Sequence, residues 1–217
     1  CFSSVTCQPD CASYTLCIMA ILPMHYVGHD PILREKAIKV RDFDDPELHK
    51  LAADMIESMY YYYGVGLAAN QVGSLKRICV IQLPDDEEPT VLINLEITRK
   101  EGEREVTEGC LNLPGWQGYI PRAEQVWARA VGLDGKPIKY KGVEDLLAQA
   151  LEHEADHLDG KLYVDYLRAK EDLFEVDNGT EEDGEGEPRP PDEDGSDTQE
   201  EGDSAPAESP EPSLGKE

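Results

Sequence analysis

Apolar residues recur at helical spacing from Pro46 onward, where Leu48, Leu51, Met55, Ile56, Met59 and Tyr63 form one stripe. Asp44 or Asp45 is available as N-cap, Pro46 falls in the first turn, where its missing N–H costs nothing, and Gly64 is the stop. The period then shortens. Segments 77–83, 90–97, 104–107 and 125–133 are rich in β-branched residues, and the turn signal Asp134-Gly135 leads into a further strand-like piece, 137–140. Helical spacing returns over 143–158, with Gly160 as its C-terminal signal. A helix, a run of strands without βαβ alternation, and a second helix predict an α+β fold with mainly antiparallel sheets.

The pattern stops near Lys170. Between Glu171 and Glu217 lie 19 of the 46 Asp and Glu, opposed by Arg189 and Lys216, so this segment carries −17 of the net charge of −26. Its few apolar residues, among them Leu173, Phe174 and Val176, bury too little surface to offset chain entropy, and 171–217 is expected to be a disordered acidic tail. At the other end Cys1, Cys7, Cys11 and Cys17 crowd together at spacings that match no familiar zinc pattern. Residues 1–18 read as an unstructured Cys-rich extension upstream of a start at Met19, which leaves 19–170 as the folded domain. An acidic body and a more acidic tail argue against binding nucleic acid through a basic face. The longest apolar run, 16–23, is far short of the roughly 20 residues a spanning helix needs, and no Lys or Arg precedes it as a secretory signal requires. The expected location is the cytosol, with no membrane contact.

The second helix carries His153-Glu154-Ala155-Asp156-His157, an H-E-x-x-H pattern that puts two imidazoles on one face with a carboxylate beside them. At about 100° per residue, Val143, Leu146, Leu147, Ala150, Leu151 and Leu158 form the apolar stripe. Glu154 and His157 fall within that stripe and His153 at its edge, whereas Glu144, Asp145, Glu152, Asp156 and Asp159 lie largely around the other side. Burying Glu154 without a cation nearby is costly, so the facing favours a metal site over a solvated charged face or structural histidines. Catalytic sites of this kind commonly use three protein ligands and keep one position open. Cys110, in Glu108-Gly109-Cys110-Leu111-Asn112-Leu113-Pro114, is one candidate for the third ligand, and Cys79, in a strand pattern, is the rival. Were both to bind, the site would be closed and structural. A third stretch, Gly64-Val65-Gly66-Leu67-Ala68-Ala69-Asn70-Gln71, has glycines two apart that let backbone approach a ligand closely, and Gln71 offers an amide either to an oxyanion or to a turn.

Taken together and in this order, GVGLAANQ, EGCLNLP and HEADHLDG resemble the three signature motifs of the peptide deformylases, and the likeness extends from about Met24 to Leu167. The resemblance implies mainly antiparallel sheets packed around a central H-E-x-x-H helix, and removal of the formyl group from the formylmethionine of nascent polypeptides with release of formate. By motif position, Cys110, His153 and His157 would hold one divalent metal ion, Fe2+ by family habit, with Ni2+, Co2+ or Zn2+ as alternatives in purified protein. Glu154 would move the proton, the Gln71 side chain and the Leu111 N–H would serve the oxyanion, and Val65 and Gly66 would pair with the substrate main chain. The implied partners are nascent formylmethionyl peptides and the ribosome exit region, in a bacterial-type cytoplasm.

Asn112 stands where the family often has Ser, and together with Trp116 and Gln117 it bears on substrate preference more than on activity. Two rival readings remain at this stage. A zincin-like metallopeptidase would take a third ligand downstream of His157, where there is no His and Asp165 is a nearby carboxylate. A non-catalytic, metal-stabilised domain would instead use its acidic tail to dock to basic partners.

Overall fold

The computed structural model describes residues 20–176. The Cys-rich stretch 1–18 and the acidic segment beyond Val176 lie outside the described residues. The elements run α1 (Pro46–Tyr61), β1 (Gly66–Ala68), β2 (Ile78–Ile81), β3 (Thr90–Glu101), β4 (Arg104–Cys110), β5 (Leu113–Arg122), β6 (Gln125–Val131), β7 (Pro137–Val143), α2 (Asp145–Leu158) and β8 (Leu173–Glu175), with short 3-10 turns between them. The fold is α+β with antiparallel strand pairing, as expected.

Helix α1 begins where its capping chemistry places it, since the Asp45 carboxylate accepts from the Glu47 N–H at 3.0 Å and Pro46 occupies the first turn. Leu48, Ala52, Met55 and Met59 are its buried apolar face. Asp54 and Ser58 are also buried on this helix, where they accept the Ala20 and Leu22 N–H groups at 3.0 and 2.8 Å and dock the incoming chain. Tyr63, expected in the apolar stripe, is instead 90% exposed beyond the helix end with φ +57°, a left-handed geometry that usually favours glycine.

Two sheets form, β1-β2-β3-β6-β7 and β4-β5-β8. The larger sheet lies between the helices. In β2, Ile78 and Val80 join Met55 and Met59 of α1, while Cys79 and Ile81 join Leu151, Ala155 and Leu158 of α2. A strand buried on both faces carries no polar alternation, which is why Ile78-Cys79-Val80-Ile81 reads as a continuous apolar run.

The smaller sheet departs from expectation. Strand β5 is not among the expected strands, and it contains the breakers Pro114, Gly115, Gly118 and Pro121. It nevertheless pairs along β4, and with β8 through Trp116, Gln117 and Gly118. Both prolines lie outside the stretch paired on two sides, where a missing N–H is tolerated. Strand β8 places Leu173–Glu175 in this sheet, so the folded unit runs past the compositional boundary at Lys170, and the chain divides after Val176.

Helix α2 is also more enclosed than its stripe suggests. Leu146 is exposed, whereas Glu152 and Asp156, placed by the helical wheel on the outer side, are 2% and 8% exposed. A wheel assumes one wet face, but α2 meets the large sheet on one side and the Arg122 end of the small sheet on the other. Glu152 accepts the Ala123 N–H at 2.9 Å and pairs with Lys100.

Candidate active site

His153 and His157 project from successive turns of α2 toward Cys110, the last residue of β4. The Cys110 Sγ lies 3.2 Å from His157 Nε2, which lies 3.0 Å from His153 Nε2. One donor atom from each of the three residues falls within 4.8 Å of the others. Cys79 is excluded from this cluster. It is fully buried in β2, its Sγ is 3.7 Å from the Leu92 carbonyl, and burial pushes its thiol well up from the ordinary value.

The orientation of these donors is set from outside. His153 Nδ1 is engaged by Glu108 Oε1, which leaves Nε2 to face the cluster. Glu108 is itself held by Arg122, whose Nε and Nη2 reach its two carboxylate oxygens at 3.0 and 2.6 Å. Arg122 also pairs with Asp156, which accepts the Tyr166 hydroxyl at 2.9 Å. Burial pushes Glu108 upward, but the bonds from His153 and Arg122 outweigh it and hold the carboxyl at about 2. Burial opposes the charge on His153, yet Cys110 and Glu108 raise its pKa well above the ordinary value; burial and then His153 depress that of His157.

One sulfur and two imidazole nitrogens suit a borderline divalent cation such as Zn2+, Fe2+, Co2+ or Ni2+. The buried Glu154 Oε2 has no hydrogen-bond partner among the described residues, so the protein alone leaves the demand of that carboxylate unmet. The residues fit a metal ion.

Glu154 lies against the backbone of β1. A Cβ added at Gly66 would come 2.3 Å from its Oε1, so only glycine admits the carboxylate there. Burial raises Glu154 to about 7, Glu108 adding to the shift and His153 opposing it. Gln71, also buried, accepts the Ala68 N–H through Oε1 at 2.6 Å and donates from Nε2 to Asn112 Oδ1 at 2.6 Å, with Cys110 Sγ 3.6 Å from the same nitrogen. Leu111 and Asn112 form the turn between β4 and β5. Val65 is 44% exposed beside β1, one of the two edge strands of the larger sheet.

Residues 21–172 match the family model described as polypeptide deformylase. The chain belongs to this family. It is 49% identical over 147 residues to a peptide deformylase of Dehalococcoides mccartyi strain CBDB1, covering 68% of this chain and 87% of that one. Among solved structures, a peptide deformylase from Legionella pneumophila matches with a TM-score of 0.64 and 44% identity, over 68% of this chain and 86% of that chain. A class I type b peptide deformylase from Acinetobacter baumannii with Met-Ala-Ser bound matches with a TM-score of 0.64 and 29% identity, over 69% and 100%.

Every site residue expected from the deformylase motifs lies in this region of the fold. Asp165, the carboxylate a peptidase reading would need, is instead tied to Arg34 at 2.5 Å and to the Leu162 N–H at 2.9 Å. Sequence reasoning missed the roles of Glu108, Arg122 and Asn112. Glu108 is separated by a single residue from Cys110 in a strand, and that period of two, with a buried charge, was the available signal. Nothing in the chain order links Arg122 to α2. Asn112, assigned to substrate preference, is wholly buried against Gln71 and Cys110.

Proposed function

We propose that this deformylase-family chain hydrolyses the formamide of formylmethionine at the start of nascent polypeptides, releasing formate, with Cys110, His153 and His157 holding one divalent metal ion. When bound, the ion supplies Lewis acidity to a water molecule and to the formyl carbonyl. The observation that carries the reading is the convergence of these three donors beside a buried Glu154 packed on the Gly66 backbone.

Glu154 is the proton carrier. Its carboxylate takes a proton from the attacking water and delivers it to the departing amine as the C–N bond breaks. Burial, partly offset by His153 and reinforced by Glu108, raises its pKa to about 7, which suits both halves of that transfer near neutral pH, and a nearby divalent cation lowers it. The Gln71 Nε2 and the Leu111 N–H donate to the oxygen of the formyl group as it becomes an oxyanion. Val65 and Gly66, beside the outer edge of the larger sheet, receive the substrate main chain as an added strand. The peptide-bound state of the Acinetobacter relative supports a short methionyl peptide as the occupant.

Ferrous iron is the proposed native ion. A thiolate ligand beside it is open to oxidation, so activity is expected to decay in air and to persist with nickel or cobalt. The nascent chain emerging at the ribosome exit, in a bacterial-type cytoplasm, is the proposed setting; among the described residues no helix is long and apolar enough to cross a membrane.

The test is anaerobic. Protein loaded with ferrous iron is mixed with a formyl-Met tripeptide and formate is followed, beside Glu154→Ala. Release by the parent and a loss of about a hundred- to ten-thousand-fold in the variant support the reading. No release with one metal bound per chain would point to an inert, structural site.

A further inference from the structure

We propose that Asn112 is a positioning residue that orients both the oxyanion donor Gln71 and the ligand Cys110, with the segment Met24 to Val27 as its outer anchor. The inference rests on the roles given above to Gln71 and Cys110.

The geometry of two amides carries it. Gln71 Oε1 accepts the Ala68 N–H at 2.6 Å, which fixes which end of that side chain is nitrogen. One hydrogen on Gln71 Nε2 then goes to Asn112 Oδ1 at 2.6 Å, and the other is left on the side of Cys110 Sγ, 3.6 Å away, where the reacting carbonyl would sit. The Cys110 thiol donates to the same Oδ1 at 3.3 Å, so one oxygen touches both groups; once the sulfur is ionised as a ligand, this becomes a packing contact that limits where it can sit.

Asn112 is itself held in one orientation. Its Nδ2 donates to the His25 carbonyl and lies 3.3 Å from Met24 Sδ, so its oxygen must face Gln71. Two main-chain bonds complete the brace, the His25 N–H to the Gln71 carbonyl at 2.9 Å and the Val27 N–H to the Asn112 carbonyl at 3.0 Å. The segment is anchored on both turns of the site. Asn112 has 0% exposure, so no solvent competes for these bonds.

An amide suits this place because its donor and acceptor are separate atoms that face opposite neighbours. Alanine removes both. Serine supplies one oxygen on a shorter arm, which can accept from Gln71 but reaches the His25 carbonyl less well.

The experiment uses cobalt-loaded full-length protein under nitrogen, comparing the parent with N112A, N112S, Q71A and the double variant Q71A/N112A. The readouts are kcat and KM for a formyl-Met tripeptide, the thiolate-to-cobalt absorption band, and Tm. N112A is expected to lower kcat about 10- to 100-fold while KM moves less than about threefold, as loss of a transition-state donor does. It is also expected to shift the cobalt band, and N112S to recover part of both. The double variant is expected to be within about threefold of Q71A alone, because two residues acting as one unit do not add. Multiplying losses in the double variant would overturn the proposal. So would N112A with parental kcat and an unmoved cobalt band, whatever happens to Tm. If Q71A itself is as fast as the parent, the oxyanion role of Gln71 fails on its own. The cobalt band then decides for Asn112, a shift supporting it and no shift overturning it.

Discussion

In the five-stranded sheet, β2 sends Ile78 and Val80 into one core and Cys79 and Ile81 into the other, and all four are buried against apolar neighbours. In the three-stranded sheet, Glu108 and Arg122 meet α2 beside Cys110, and both are buried and charged. The first region is held by area removed from water, which is non-directional and tolerates adjustment. The second is held by hydrogen-bonded ion pairs that stabilise the fold only when every partner is in place. That demand for geometry is useful at one spot: the network ends on His153 Nδ1 and so aims one of the three proposed metal donors. Damage to the large sheet should therefore read out as stability alone, and damage to the charged part of the small one as stability and metal affinity together.

Glu154 belongs to neither scaffold, and its replacement should give the largest effect. Glu154→Gln is expected to lower kcat about 10²- to 10⁴-fold with metal content and Tm close to those of the parent, measured by formate release and metal analysis. A parallel fall in metal content would mean that the carboxylate is part of the scaffold after all.

Glu108→Gln tests the polar region. Metal affinity should fall about 10- to 100-fold in competition with a chelator. Stability should fall by about 3–5 kcal/mol, because Arg122 is left buried with half its compensation. The pH dependence has a definite sign. Glu108 sits at about 2 in the folded protein, below the roughly 4.3 of an exposed glutamate, so between those values the unfolded chain holds more protons. Its contribution is present in full above the upper value and is lost as pH falls through the lower. Urea titrations of the metal-free parent and variant should thus show a constant gap above about pH 4.5 that closes toward pH 2. A gap independent of pH would mean that the charge of Glu108 is not what holds Arg122.

Met55→Ala tests the apolar region from α1. A wholly buried methionine cut to alanine costs about 2–5 kcal/mol by denaturant unfolding. Metal affinity should be unchanged, and a tenfold loss would show that the two regions are coupled. The smallest effect is expected at the end of α1, where Tyr63 is exposed at φ +57°. Tyr63→Gly should stabilise the protein by about 1 kcal/mol or less, a small rise in Tm, because glycine takes that conformation freely.

The same division decides what could be read from the chain. Both helices were legible because an amphipathic stripe, a cap and a glycine stop are local signals, and β2, β3, β4, β6 and β7 were legible from β-branched runs. Strand β5 was not, since Pro114, Gly115, Gly118 and Pro121 signal a turn until β4 supplies a partner along its length. Nor was β8, three residues at the start of an acidic segment, which become a strand only by pairing with Trp116, Gln117 and Gly118.

The motifs alone singled out Cys110, His153, His157, Glu154 and Gln71 as candidates, because chemistry restricts which residue types can serve as ligand, base or donor. Tertiary structure alone excluded Cys79, buried Glu152 and Asp156, and joined Glu108 to Arg122 and Asn112 to Gln71. Helical periodicity knows one core and one solvent. A helix enclosed between two sheets has no wet side over its central turns, and which partner meets each buried charge is fixed by contacts across the fold that no local pattern encodes.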